Sequence, residues 1–212
     1  RFVGLAPLGT SLTEEQAREL AQTAHAHQRH PIVATDADLA GQIAAQRDFW
    51  LLAQHGLDPH TVALRPGSDP ADLLAIHGPG AVRDALQNHS PLAETLLTER
   101  LGNLSGLSAA RQAALVLAAS DPALWDAGVD RVSQSTGIPT PAVRRDLAAG
   151  VRLWDLDTRT VAGEQIGELS TVKDRLAALS GSLPRATPTA RQPTLPRRAV
   201  AASVPSQRPA RR

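Results

Sequence analysis

One ten-residue run constrains the architecture of this chain more than any other: Ile32-Val33-Ala34-Thr35-Asp36-Ala37-Asp38-Leu39-Ala40-Gly41. Its apolar first half reads as a short buried strand. Two aspartates, one residue apart, close that strand. A helix opens at once, with apolar and small residues at Leu39, Ala40, Ile43, Ala44, Phe49, Leu51 and Leu52. In open α/β sheets, ligand sites form beyond the carboxyl ends of strands. An Asp-x-Asp at that edge suits Mg²⁺, a hard cation that takes oxygen ligands and keeps several waters. Asp36 and Asp38 taken alone also suit a plainer role, since an aspartate after a strand often caps the next helix.

The flanking sequence repeats the strand–helix alternation. Phe2-Val3-Gly4-Leu5-Ala6 reads as a strand followed by a Pro/Gly turn. Thr13 suits an N-cap, with Glu14 and Glu15 in the first turn and Gln16 at the capping-box position of a helix running to about His27. The Pro31–Thr35 strand follows, then a helix from Leu39 to His55 ended by Gly56. Thr61-Val62-Ala63-Leu64 is a third short apolar run, feeding the turn-rich loop Arg65-Pro66-Gly67-Ser68-Asp69-Pro70-Ala71-Asp72. The order β-α-β-α-β predicts an α/β fold with a mostly parallel sheet.

From Asp72 to about Trp154 the pattern is helical, punctuated by Pro79, Pro91, Pro122, Pro139 and Pro141. Asp121-Pro122 and Thr140-Pro141 each offer an N-cap with Pro at the first helical position. Trp125 and Trp154 are expected core anchors of this small all-α region. Residues 164–180 suit one further, exposed helix. The last stretch, 182–212, mixes arginines with prolines and has little aliphatic content, the composition of a disordered basic tail. The expected segments are therefore 1–75, 76–155, 156–181 as linker or exposed helix, and 182–212 as tail.

Charge divides along the same line. The 22 basic and 21 acidic side chains nearly cancel over the whole chain. The arginines of the tail meet no acid there, so the part before it is net acidic. With no cysteine, neither a disulfide framework nor a Cys-based zinc site is available. No apolar run has the roughly 18 residues a membrane span needs, and nothing resembles a signal peptide, so a soluble cytoplasmic protein without a membrane partner is expected. The chain has no methionine and begins at Arg1, which fits a piece of something longer.

Four stretches in order carry a family resemblance. They are Gly4 to Thr13, Val33 to Gly41, Ala44-Ala45-Gln46-Arg47, and Leu64 to Leu73. Together they resemble the Toprim domain of bacterial DNA primases, over roughly residues 3–75. The helical stretch that follows, including Ser90-Pro91-Leu92, is similar in style to the segment after Toprim in primases. The resemblance implies a partial Toprim fold at 1–75 and a Mg²⁺-dependent nucleotidyl-transfer centre, with Mn²⁺ as the alternative ion. Asp36, Asp38 and Asp69 fall on the family's metal-binding positions; Asp72 fits less well, the family's second acid often lying one residue nearer. Gly9, Thr10 and Gly41 match the pattern, and Gly41 would allow close approach of helix and strand. Arg47 matches a family position on the helix, where it would meet nucleic acid. The family's first-strand glutamate has no counterpart, because no Glu precedes Glu14. Catalysis by these residues alone is therefore not expected.

The function implied is that of a fragment of a primase-like protein making RNA primers on single-stranded DNA, in replication or in mobile-element transfer. Its partners would be single-stranded DNA, nucleotides and a helicase or relaxase. A non-enzymatic alternative is a DNA-binding accessory protein with a vestigial Toprim fold. Residues 129–147 read as helix, glycine turn, helix, with Arg144 and Arg145 on the second helix as candidate DNA contacts, and the arginine-rich tail could add salt-sensitive phosphate contacts. A simple helical hairpin fits the same pattern. A Toprim topoisomerase would also need a nucleophilic tyrosine, and this chain has none. His25, His27 and His30 straddle a helix end and a loop, a spacing that implies no convergent geometry.

Overall fold

The computed structural model describes residues 2–6 and 12–182. The expectations for Gly9, Thr10 and the tail beyond residue 182 lie outside the described residues. Helices dominate. In chain order the elements are α1 (Glu14–His27), β1 (Ile32–Val33), α2 (Leu39–Ala53), β2 (His60–Thr61), α3 (Pro70–Gln87), β3 (Ser90–Pro91), α4 (Leu92–Asn103), α5 (Gly106–Ala118), a 3₁₀ turn (Pro122–Leu124), α6 (Trp125–Thr136), α7 (Thr140–Leu156) and α8 (Thr158–Ser182).

The sheet is smaller and more mixed than expected. Its order is β1-β2-β3. β1 and β2 run parallel, with Ile32 opposite His60 and Val33 opposite Thr61. β2 and β3 run antiparallel, with Thr61 opposite Ser90. The parallel expectation thus holds for one of the two pairings. The alternation rule sees only strands joined through helices, and β3 is a two-residue strand just ahead of α4 that the sequence reading treated as Pro punctuation. Residues 2–6, expected as a strand, are exposed and carry no strand pairing, which leaves β1 at an edge of the described sheet.

Local signals explain the helices well. Thr13 caps α1: its hydroxyl accepts from Gln16 N–H, and Gln16 reaches back to the Thr13 amide at 2.9 Å, a complete capping box. Asp38 caps α2 and Asp69 caps α3. Gly137, at φ 72°, turns the chain between α6 and α7, as the glycine turn predicts. Thr140 does not act as the expected cap. Pro139 takes the flanking position, and the Thr140 hydroxyl instead bonds Ser133 Oγ.

Two apolar clusters organise the packing, and α2 lines both. The larger joins Ile43, Phe49 and Trp50 of α2 to Leu92, Leu96, Leu117, Val129, Val143 and Trp154, and continues into Val161, Ala162 and Leu169 of α8. The smaller joins Leu51 and Leu52 to Ala17, Ala21 and Ala24 of α1. α2 is apolar nearly all round, as a helix buried on both sides should be. The core therefore runs across residue 75, which itself lies inside α3. The first half of α8 is packed against the core rather than exposed, because Val161, Ala162, Gln165 and Leu169 share one helical face and all four are buried. Trp154 is buried against Trp50, ring centroids 5.9 Å apart. Trp125 is half-buried and donates its indole N–H to Leu117 O. α3 buries no residue and breaks at Gly78, where φ is 78°.

Gly41 shows why the strand–helix junction tolerates no side chain. A Cβ there would lie 2.0 Å from the Asp36 carbonyl oxygen, a backbone atom that cannot swing aside. Gly41→Ala should cost about 3 kcal/mol, the upper end of the overpacking range, in chemical denaturation. A loss below about 0.5 kcal/mol, the level of an ordinary surface change, would show that the Asp36 loop yields freely.

Candidate functional site

The acidic site is built from two loops at the carboxyl end of the parallel pair. The first, after β1, carries Asp36 and Asp38; the second, after β2, carries Asp69. Backbone bonds lock the two together. Ala37, between the two aspartates, donates its N–H to Ser68 O at 2.9 Å and accepts from Gly67 N–H at 2.9 Å. Ser68, the neighbour of Asp69, is itself held in a turn by its N–H and Oγ, both donating to Arg65 O. Gly67 sits at φ 77°, where a side chain would be strained.

Two of the three carboxylates cap helices. Asp38 Oδ1 accepts from Gly41 N–H at 2.7 Å, and Asp69 Oδ1 accepts from Asp72 N–H at 2.5 Å. Both are helix N-caps, the plainer role foreseen for such an aspartate. Capping engages one oxygen of each carboxylate, so the other is free to face a ligand. Asp36 and Asp38 are exposed and Asp69 is half-buried. The three do not close into a preformed cage. Among the described residues, the group of three whose ligand atoms all lie within 4.8 Å of one another is His30, Asp58 and His60. Asp72, in the first turn of α3, is exposed and gives Asp69 its amide.

The arginines named from the sequence are placed differently from one another. Arg47, half-buried on α2, donates from Nη1 to Leu12 O at 2.6 Å, tying α2 to the segment before α1. That bond gives it a structural task at the position where the sequence suggested nucleic-acid contact. Arg144, on α7, pairs with Asp126 of α6 at 2.9 Å in an exposed bridge. Arg145, its neighbour, is exposed. α6 and α7 do form helix, glycine turn, helix, and Val129, Val132, Val143 and Leu147 of that hairpin are buried in the large cluster.

The histidines converge in a way their spacing did not reveal. His25 Nε2 contacts His55 O at 3.0 Å, and His30 Nδ1 contacts Asp58 O at 3.2 Å. His60, the first residue of β2, lies between His30, tilted to it at a centroid separation of 4.8 Å, and His89, edge-on at 4.6 Å. Desolvation, then the neighbouring His89 and His30, push the His60 imidazole down to about 4, so it is neutral at pH 7. Asp58 is held above the usual carboxylate range, mainly by burial. The signal available in the sequence was Asp58-Pro59-His60 at the start of a strand. Only the β1–β2 pairing adds His30.

A family described as Toprim-like matches residues 2–74. Residues 2–74 are thus similar to the Toprim-like family, the resemblance that the ordered motifs carry. A DNA primase of Clostridium acetobutylicum is 26% identical over 145 residues, which is 66% of this chain and 24% of that protein. A DNA primase of Halalkalibacterium halodurans is 40% identical over 75 residues, 35% of this chain and 12% of that protein. The chain thus spans less than a quarter of the length of these curated relatives. The fold matches the crystal structure of a DNA primase domain from Pseudomonas aeruginosa at a TM-score of 0.50 and 23% identity, covering 66% of this chain and 46% of that one. The likeness to the Clostridium acetobutylicum primase, over 145 residues, is longer than the Toprim-like match and so runs beyond it.

On α2, Asp48 carries a titration with a readable sign. Burial raises its carboxyl to about 6 from 3.8, against the opposing pull of Arg47 and the Leu12 amide. The folded chain then binds the proton more tightly than the unfolded one. Between pH 3.8 and 6 this residue makes the fold more stable as pH falls. Asp48→Asn should therefore raise stability relative to the parent at pH 7, by at most about 3 kcal/mol, and the difference should shrink toward pH 4. Denaturant midpoints of both proteins across that range measure it; a difference independent of pH would show that Asp48 ionises normally.

Proposed function

We propose that this chain is part of a primase-like Toprim protein in which Asp36 and Asp38, joined by Asp69, hold Mg²⁺ for nucleotidyl transfer, making RNA primers on single-stranded DNA in replication or mobile-element transfer. The supporting observation is the pair of backbone hydrogen bonds around Ala37, which ties the Asp-x-Asp loop to the loop that presents Asp69. The donor set fits the ion: every candidate ligand is a carboxylate oxygen, and the exposed setting of Asp36 and Asp38 lets the ion keep its waters. Mn²⁺ accepts the same donors.

Phosphoryl transfer asks for positioning and charge neutralisation more than for covalent chemistry by the protein. A bound divalent cation supplies neutralisation of the triphosphate. The residues of this chain supply the holding: Gly41 lets α2 approach the Asp36 carbonyl, and Asp38 fixes the start of that helix. Single-stranded DNA, nucleotides and a helicase or relaxase would be the partners. A cytoplasmic location goes with this reading; among the described residues no helix is long and apolar enough to cross a membrane.

The test is the double change Asp36→Asn plus Asp38→Asn in the full-length protein. Asparagine is as good an N-cap as aspartate, so α2 should keep its start and the fold its stability. Mn²⁺ affinity, followed by paramagnetic resonance of the free ion, should fall at least tenfold, and primer synthesis on single-stranded DNA should be lost. Mn²⁺ binding equal to that of the parent would end the assignment.

A further inference from the structure

We propose that His30, Asp58 and His60 form a second cation site, chemically distinct from the aspartate loops and suited to Zn²⁺. The two sites lie at opposite ends of the parallel strands. Asp36 and Asp69 follow β1 and β2, whereas His30 and Asp58 precede them. One ligand atom from each of His30, Asp58 and His60 lies within 4.8 Å of the others. His60 Nε2 and Asp58 Oδ2 are 3.8 Å apart, too far for a hydrogen bond. That separation is near the roughly 3.4 Å between two ligand atoms on a tetrahedral zinc with bonds of about 2.1 Å.

The surroundings leave the donor atoms free. His30 Nδ1 faces the Asp58 carbonyl at 3.2 Å, a partner that can only accept, so the proton sits on Nδ1 and Nε2 keeps its lone pair. His60 Nδ1 lies 2.6 Å from His89 Nδ1. A proton on His60 Nδ1 satisfies that contact and leaves His60 Nε2, the atom facing Asp58, as a lone-pair donor. Ligating histidines commonly spend their other ring N–H on such a neighbour, which fixes tautomer and orientation. Asp58 Oδ1 is buried and has no hydrogen-bond partner. A carboxylate in that position lacks a compensating donor, and a cation would provide the compensation. His30 is exposed, and it and Asp58 line a cleft of about 770 Å³ shared with Asp121, Trp125 and Asp155, which gives an ion a route from solvent.

Two imidazoles and one carboxylate make a borderline donor set that favours Zn²⁺ among common divalent ions, and Mg²⁺ is a poor match because it demands oxygen ligands. The ion would tie the turn after α1 to the start of β2.

The experiment titrates Co²⁺ into the full chain, prepared without a polyhistidine tag, and follows visible absorption. A single saturable complex should form, with a tetrahedral-type spectrum that Zn²⁺ abolishes and millimolar Mg²⁺ leaves intact. His30→Ala and His60→Gln should each weaken binding at least tenfold. His77→Ala, an exposed histidine on α3, and the Asp36→Asn plus Asp38→Asn change should leave it unaltered, which separates this site from the aspartate loops. Absence of a one-to-one complex, or affinity that survives His30→Ala, would overturn the proposal. His30 is exposed, so that variant remains readable even if His60→Gln disturbs β2.

Discussion

Two hydrogen bonds through one alanine hold the acidic end of this molecule together. Ala37 gives and takes a bond with the Gly67–Ser68 turn, and so fixes where two independent strand-ends stand relative to each other. The strands themselves are only two residues long and could not enforce that register alone. The packing beneath completes the constraint. α2 must lie against the Asp36 backbone, and it can do so only because residue 41 has no side chain. Capping, glycine contact and loop pairing thus act on the same few residues, and removing any one would loosen the other two.

Much of this was legible in the residues because the signals are local. The capping box at Thr13 and Gln16, the Asp38 cap and the glycine turn at Gly137 each depend on side chains within a few positions of one another. The order of motifs around Asp36 and Asp69 carried the family resemblance for the same reason. What stayed hidden depends on distant partners. β3 exists because β2 offers it an edge, and a strand of two residues leaves no periodicity to detect. The packing of α8 depends on an apolar surface of α2 more than a hundred positions earlier. Phe2–Ala6 has the composition of a strand without a neighbour to pair with in the described fold.

The site residues divide in the same way. Asp36 and Asp38 stand out through the ordered motifs around them rather than through their spacing alone, and atomic positions show Asp38 and Asp69 as helix caps. Arg47 shows a different limit: a long cationic side chain on a helix reads as a ligand for phosphate, and its hydrogen bond to the Leu12 carbonyl, 35 positions away, could not be read from the sequence. The imidazole group around His60 could not be read at all, since its members come from three separate segments of the chain and meet only through strand pairing.

The placement of α2 has a mechanical consequence. A helix that forms a wall of two apolar clusters at once spends a buried face on each. Undocking the α1 side would expose Leu51 and Leu52 to water, and undocking the α4–α8 side would expose Phe49 and Trp50, so either opening costs buried apolar area of this one helix. Such a shared wall seats the helix whose first turn takes the Asp38 cap, and so anchors one end of the loop that carries Asp36 and Asp38.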